Sequence, residues 1–206
     1  MHPLAGVAIS YIAGSIPFAY LAGKAKGLDL REHGSGNLGA TNAIRVLGPR
    51  VGAVVYLGDT LKGMLPVLLL PGVTEVSRPD LWAIAYGVAA IVGHVRPVFL
   101  MGQGGGKGVA TAGGVFFGLA WLPALIALIA FVIVVGTTRF VSAGSIAASL
   151  VLPIALAIVR GPDDMVFLIS CAITALVLWM HRGNISRLAK GTEPRMGSRS
   201  SEGTAR

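Results

Sequence analysis

Six long stretches of this chain carry almost no charge: residues 4–23, 51–72, 81–95, 109–136, 143–159 and 165–180. In hydrocarbon every backbone N–H and C=O must find a partner within the protein, so apolar stretches of this kind cross a bilayer as helices. About 20 helical residues span a core ~30 Å thick. Of the 206 residues, 54% are hydrophobic and 13% are charged. A soluble domain carries roughly twice that share of charge, and a soluble fold of this size has too little polar surface to cover so much apolar area. The predicted fold is an all-α, polytopic integral membrane protein with a single transmembrane domain over residues 1–191. The Gly/Ser/Arg-rich segment 192–206 is expected to be a disordered tail. No Lys or Arg precedes the first apolar run, unlike a secretory leader, so that run is expected to be a retained span.

The formal net charge is +8. The basic residues flank the apolar runs, which points to membrane sidedness and not to nucleic acid. Residues 24–50 hold Lys24, Lys26, Arg31, Arg45 and Arg50, and the segment after residue 181 holds six more Lys and Arg. If residues 24–50 are cytoplasmic, the N-terminus is outside. A single crossing by 109–136 would then put the basic tail outside, against the positive-inside rule. If the run turns back near Trp121-Leu122-Pro123, the tail lies in the cytoplasm. Two helices of about 20 Å each are short for the core. The count that satisfies charge is about seven helical elements, with a single long tilted span over 109–136 as the alternative.

Two segments are rich in glycine. The first reads Gly34-Ser35-Gly36-Asn37-Leu38-Gly39-Ala40-Thr41-Asn42, with Arg45 just beyond. Gly, Ser and Asn suit a flexible turn, but three Gly, a Ser, a Thr and two Asn in nine residues exceed what a turn needs. Successive glycine amides can form an anion nest, and Arg45 can grip phosphate in a bidentate manner. The second segment runs from His94 to Gly104-Gly105-Gly106-Lys107-Gly108. It is not a Walker loop: Met101 stands where the first glycine belongs, and Gly108 stands where Ser or Thr must follow the lysine. Lys107 is either a snorkelling interfacial lysine or one aimed at a ligand, and the surrounding glycines favour the ligand.

Other polar residues near or within the spans admit two readings. Asp59 and Lys62, three residues apart on one helix face, form a structural ion pair or a functional one. Ser142 caps the span that follows it or meets a ligand there. His181 and Asn184 share a face at the end of the last run. Cys171 lies within an apolar run, and a catalytic thiol is not expected.

At these residues the chain resembles the bacterial membrane-integral acyl-phosphate:glycerol-3-phosphate acyltransferases. The similar stretches are 34–42, 93–111, 142–145 and 181–193, within a like pattern of spans over most of residues 4–193. One departure is that Met101-Gly102-Gln103-Gly104 is one residue longer than the family's usual run. The resemblance implies transfer of a fatty acyl group from acyl phosphate to the 1-hydroxyl of sn-glycerol 3-phosphate, giving lysophosphatidic acid and phosphate. It implies no cofactor and no metal, with the two substrates and the lipid bilayer as partners. The implied location is a bacterial inner membrane, with the site facing the cytoplasm.

By the same resemblance the catalytic residues are His181, Ser142, Lys107 and Arg45. Substrate is bound by Ser35, Gly36, Asn37, Gly39, Thr41, Asn42, Gly105, Gly106, Gly108 and Asn184. The soluble-type glycerolipid acyltransferases pair a His with an Asp five places on. Here Leu38, Phe99 and Ser186 follow His33, His94 and His181 at that spacing. Direct attack of the glycerol hydroxyl on the acyl phosphate is therefore expected, without an acyl-enzyme. Either His181 or the donor phosphate takes the proton. A transporter of an organic phosphate is the rival reading, and a non-catalytic scaffold leaves the clustered polar residues unexplained.

Overall fold

Proline and glycine punctuation sets the helix boundaries. The computed structural model describes residues 1–197. Its regular elements are α1 (Pro3–Ser15), α2 (Phe18–Lys24), α3 (Ala40–Leu47), α4 (Pro49–Val73), α5 (Pro79–Val95), α6 (Val109–Leu119), α7 (Trp121–Thr138), α8 (Val141–Arg160), α9 (Met165–Met180) and α10 (Arg182–Ala189), with a 3-10 turn at Val98–Leu100. Pro3, Pro49 and Pro79 begin α1, α4 and α5, where a missing N–H costs nothing. Asp164 caps α9, its side chain accepting from the Val166 N–H at 2.7 Å.

Five stretches are long and apolar enough to cross a membrane, namely α1 with α2, α4, α5, α7 and α8; α9 joins them when counted with α10, from which it bends by 59°. With α6 these make seven helical elements. The run 109–136 does not form one span. It breaks at Ala120, whose backbone is not helical (φ −158, ψ 76), one residue before Trp121. The halves are unequal, contrary to expectation: α6 has 11 residues and α7 has 18. At 1.5 Å per residue α6 is roughly 16 Å long, too short to cross by itself.

The first apolar run is also interrupted, at Ile16-Pro17, because Pro17 has no N–H to donate and disfavours helix in the residue before it. Helix α3 forms within the polar segment 24–50, and α10 follows the last apolar run. Within the expected tail, residues 192–197 are tied to the bundle: the Met196 N–H donates to the Arg139 carbonyl at 2.7 Å, and Arg139 Nη2 returns a bond to the Met196 carbonyl at 2.9 Å. The rest of that expected tail, 198–206, lies outside the described residues.

Small residues let the helices approach closely, as association within lipid requires. A methyl group at Gly14 of α1 would collide with the Ala90 carbonyl of α5, and one at Gly93 with the Tyr11 carbonyl. Gly63 of α4 and Gly114 of α6 bear likewise on the Thr111 and Thr60 carbonyls. These crossings fix α1 against α5 and α4 against α6.

The bundle has two different ends. At one, Met1 N donates to the Val73 carbonyl (3.2 Å) and Arg160 Nη1 to the Leu119 carbonyl (3.0 Å), and Leu81 and Met165 line one groove. Its cations Arg78 and Arg160 are paired with Asp80 and Asp164. The other end gathers the loops after α2, α5, α7 and α9, together with the other loop cations. All the glycine-rich and basic segments therefore share one face, opposite the N-terminus. Exposed Ser77 and Lys190 should accordingly be reached from opposite sides. In a Cys171→Ala background, a membrane-impermeant thiol reagent should label Ser77→Cys and Lys190→Cys from different sides of sealed vesicles; labelling of both from one side would rule out this arrangement.

Candidate active site

The loop between α2 and α3 is closed from within. Asn42 is 1% exposed. Its Oδ1 accepts from the Ser35 N–H at 2.9 Å, and its Nδ2 donates to the carbonyls of Leu30 (3.1 Å) and His33 (3.0 Å). Asn42 is expected to bind substrate; in this structure it braces the loop, and both N–H donors of its amide are already committed to backbone carbonyls. Gly36, at φ +68, takes the left-handed turn that keeps this loop tight. Ser35 and Thr41 are exposed; Asn37, Gly39 and Arg45 are half-buried. Among the described residues, the side chains of Ser35, Asn37, Thr41 and Arg45 bond to nothing, which leaves them available at the loop's surface.

The second glycine segment packs against the end of α5. A methyl group at Gly105 would collide with the His94 and Val95 carbonyls, and one at Gly106 with His94 Nε2. The same methyl on Gly106 would lie 2.8 Å from the Leu38 carbonyl, so the two glycine segments touch here. Gly108, at φ +83, turns the chain into α6. Among the described residues, the backbone N–H groups of 104–108 donate to no acceptor. They lead into the N-terminus of α6, the positive end of the helix dipole.

Next to these amides Lys107 Nζ donates to Asn184 Oδ1. Asn184 Nδ2 donates to Glu193 Oε1 at 2.6 Å, as does Ser142 Oγ at 2.6 Å, and Arg187 Nε donates to Glu193 Oε2 at 2.8 Å. Four of the expected residues, Lys107, Ser142, His181 and Asn184, thus gather where α6, α8, α9 and α10 meet. Ser142 does not cap α8: Phe140 is the N-cap residue, and the Ser142 hydroxyl reaches the carboxylate instead.

His181 occupies the corner where α9 turns into α10, and it is 4% exposed. Its Nδ1 lies 2.8 Å from the Val177 carbonyl. A carbonyl can only accept, so Nδ1 carries the proton and Nε2 of the neutral ring keeps its lone pair. Cys171 is exposed on α9 and bonds to no member of the cluster. Among the described residues no three His, Cys, Asp or Glu side chains gather as a metal site.

Sequence reasoning does not place Glu193 and Arg187 in the site. Glu193 falls in the segment expected to be a disordered tail, yet it accepts from three side chains. The available signal is an acid alone among basic residues, at the end of the stretch 181–193 that carries the family resemblance. Burial by itself would raise the Glu193 carboxyl, but the hydrogen bonds from Ser142, Asn184 and Arg187 outweigh it and hold the group below its ordinary value. Burial, then the nearby Arg187 charge, lower the Lys107 ammonium below an ordinary lysine, with Glu193 opposing.

The family model described as glycerol-3-phosphate acyltransferase matches residues 4–191. The chain belongs to the glycerol-3-phosphate acyltransferase family. It is 46% identical over 195 residues to the glycerol-3-phosphate acyltransferase of Geobacter sulfurreducens, covering 95% of this chain and 98% of the relative. It is 41% identical over 191 residues to that of Prochlorococcus marinus, covering 91% and 94%. The crystal structure of PlsY, an integral membrane glycerol 3-phosphate acyltransferase, in its glycerol 3-phosphate form is similar with a TM-score of 0.87 at 38% identity, covering 95% of this chain and 96% of that one. PlsY in its lysophosphatidic acid form gives 0.84 at 37% identity, covering 95% of each chain.

Within this acyltransferase the carboxylate of Glu193 orders the cluster. Glu193→Leu leaves the donors of Asn184, Ser142 and Arg187 without their acceptor. Hydrogen bonds to a charged group are worth about 1.5–3 kcal/mol each, so kcat/KM should fall on the order of tenfold to a hundredfold. Glu193→Gln, which keeps an acceptor oxygen, should lose less. Equal rates for wild type and Glu193→Leu in a steady-state assay would remove the ordering role.

Lys107 generates a second expectation. Its lowered pKa means that the ammonium loses its proton at lower pH than an ordinary lysine. The alkaline fall in kcat/KM, which reports the free enzyme, should therefore begin below the ordinary lysine range. In Lys107→Arg the residual activity should persist to higher pH, because a guanidinium stays charged. An unchanged alkaline limb in that variant would assign the limb to another group.

Proposed function

We propose that this acyltransferase moves a fatty acyl group from acyl phosphate to the 1-hydroxyl of sn-glycerol 3-phosphate, in a bacterial inner membrane with the site facing the cytoplasm. The observation that carries the reading is the convergence of Lys107, Asn184, Ser142 and His181 beside the unbonded amides of residues 104–108. The names of the relatives, and the two ligand forms of PlsY, support the acceptor and the product class.

The glycerol oxygen attacks the acyl carbonyl carbon, and the bond from that carbon to the phosphate oxygen breaks. Phosphate is a good leaving group, so holding the two substrates in register supplies most of the acceleration. Lys107 and Asn184 hold the phosphate of glycerol phosphate, with Ser142 orienting the glycerol. His181 Nε2 accepts the hydrogen bond of the attacking hydroxyl, and the proton ends on the released phosphate. Arg45, Ser35 and Thr41, with the amides of Gly36, Asn37 and Gly39, meet the donor phosphate. The amides of Gly105, Gly106 and Gly108 stabilise the charge that develops in transfer.

Purified protein supplied with acyl phosphate and glycerol 3-phosphate should form lysophosphatidic acid and inorganic phosphate in equal amounts. Acyl-CoA should not replace acyl phosphate, since no His here is followed by Asp at the five-residue spacing. Comparable turnover with acyl-CoA would overturn the choice of donor.

A further inference from the structure

Three charged or titratable side chains lie within the bundle and take no part in the cluster around Glu193. Asp59 and Lys62 sit one turn apart on α4, and His94 sits in the last turn of α5. They are 2%, 6% and 6% exposed. Lys62 Nζ lies 2.7 Å from Asp59 Oδ1 and donates at 2.7 Å to the Ile16 carbonyl, beside Pro17 where the first span is interrupted. His94 Nδ1 lies 3.5 Å from the same Asp59 oxygen and, among the described residues, makes no hydrogen bond.

Lys62 alone neutralises Asp59, so charge balance does not require His94. What distinguishes His94 is its other edge. Its Nε2 lies so close beneath Gly106 that a methyl group there would collide with it. Its carbonyl and that of Val95 bear in the same way on Gly105. A cleft of about 10 Å³, room for about one water, lies among Asp59, Lys62, His94 and the backbone of Gly104, Gly105 and Gly106. The next residue in the chain is Lys107.

We propose that the chain of contacts from Ile16 through Lys62 and Asp59 to His94 is a positioning device for Lys107. The Lys62–Asp59 pair sets the imidazole of His94, and the imidazole with its backbone sets the height at which Gly105 and Gly106 rest. That height fixes where Lys107 leaves the loop, and so its reach to Asn184 and to a substrate phosphate. Asp59, Lys62 and His94 are positioning residues and touch no substrate. The inference rests on the reading of Lys107 as a phosphate-binding residue.

A double-variant cycle on the full-length enzyme in detergent tests it, with initial rates at varied glycerol 3-phosphate. His94→Gln removes the imidazole that packs beneath Gly106 while leaving the Asp59–Lys62 pair. It should lower kcat/KM about tenfold through displacement of Lys107, with little change in thermal unfolding temperature. In a Lys107→Ala background the same substitution should cost clearly less than in the wild type, because the part of the loss that runs through Lys107 is already gone and only the shift of the loop amides remains. Gly106→Ala displaces the loop from its other side and should behave alike; it carries the test if His94→Gln does not yield folded protein. Losses that multiply in the double variants, or wild-type kinetics in His94→Gln, would overturn the inference. Wild-type kinetics in Lys107→Ala alone would instead overturn the phosphate-binding role on which it rests, and the inference with it.

Discussion

A helix interrupted inside a bilayer leaves carbonyl groups that no solvent can satisfy, and each interruption must be answered by another part of the chain. Pro17 breaks the first span, and Lys62 Nζ takes the Ile16 carbonyl at 2.7 Å. At one end of the bundle the chain turns at Ala120, and there Arg160 Nη1 takes the Leu119 carbonyl at 3.0 Å. Helix α5 ends at Val95, and the Tyr11 hydroxyl donates to the Arg96 carbonyl at 2.9 Å. Each repair joins elements distant in sequence, so the breaks also become the ties between helices. A cation suits such a repair, because its long stem lies along apolar surface while its head serves the carbonyl.

The Lys62 repair has a cost that Asp59 offsets. An ammonium taken from water into the bundle requires a counter-charge, and Asp59 lies one turn away. Removing one member of such a buried pair costs about 3–5 kcal/mol, since the survivor is left uncompensated. Lys62 is the second donor to the Ile16 carbonyl, which also accepts from the Phe18 N–H at 3.1 Å, and Lys62 in turn requires Asp59. Ile16, Pro17 and Phe18, with His94 and the backbone of Gly104, Gly105 and Gly106, enclose this pair.

The spans are legible in the sequence because a run without charge long enough to cross has few other uses. The break near Trp121 is legible through charge parity and not through local propensity, and propensity does not reveal that its halves are unequal. Lys107, Ser142, His181 and Asn184 are legible through family resemblance, and the structure gathers them. Asn42 braces its loop through three backbone bonds, a role the sequence hides because a polar residue in a glycine-rich segment suits a ligand and a loop brace equally well. Gly105 and Gly106 suit a ligand-facing loop by composition, yet their packing against His94 and Val95 already requires them. Glu193 is hidden by composition: its segment reads as disordered, and only the fold brings three donors to its carboxylate.

Asn184 shows why the cluster needs an amide at its centre. Lys107 approaches from one side and the Glu193 carboxylate from the other, and Asn184 offers an acceptor to the first and a donor to the second. This pattern also fixes the orientation of the amide, which heavy-atom positions alone leave open. Aspartate would serve Lys107 but would place two carboxylates side by side. Leucine would leave Lys107 and Glu193 each short of a partner. Ser142 and Arg187 donate to the same carboxylate, so one anion orders donors from α8 and α10. With Lys107 joined to that anion through a neutral bridge, its charge is steadied without being paired directly, which leaves the ammonium free to meet a phosphate.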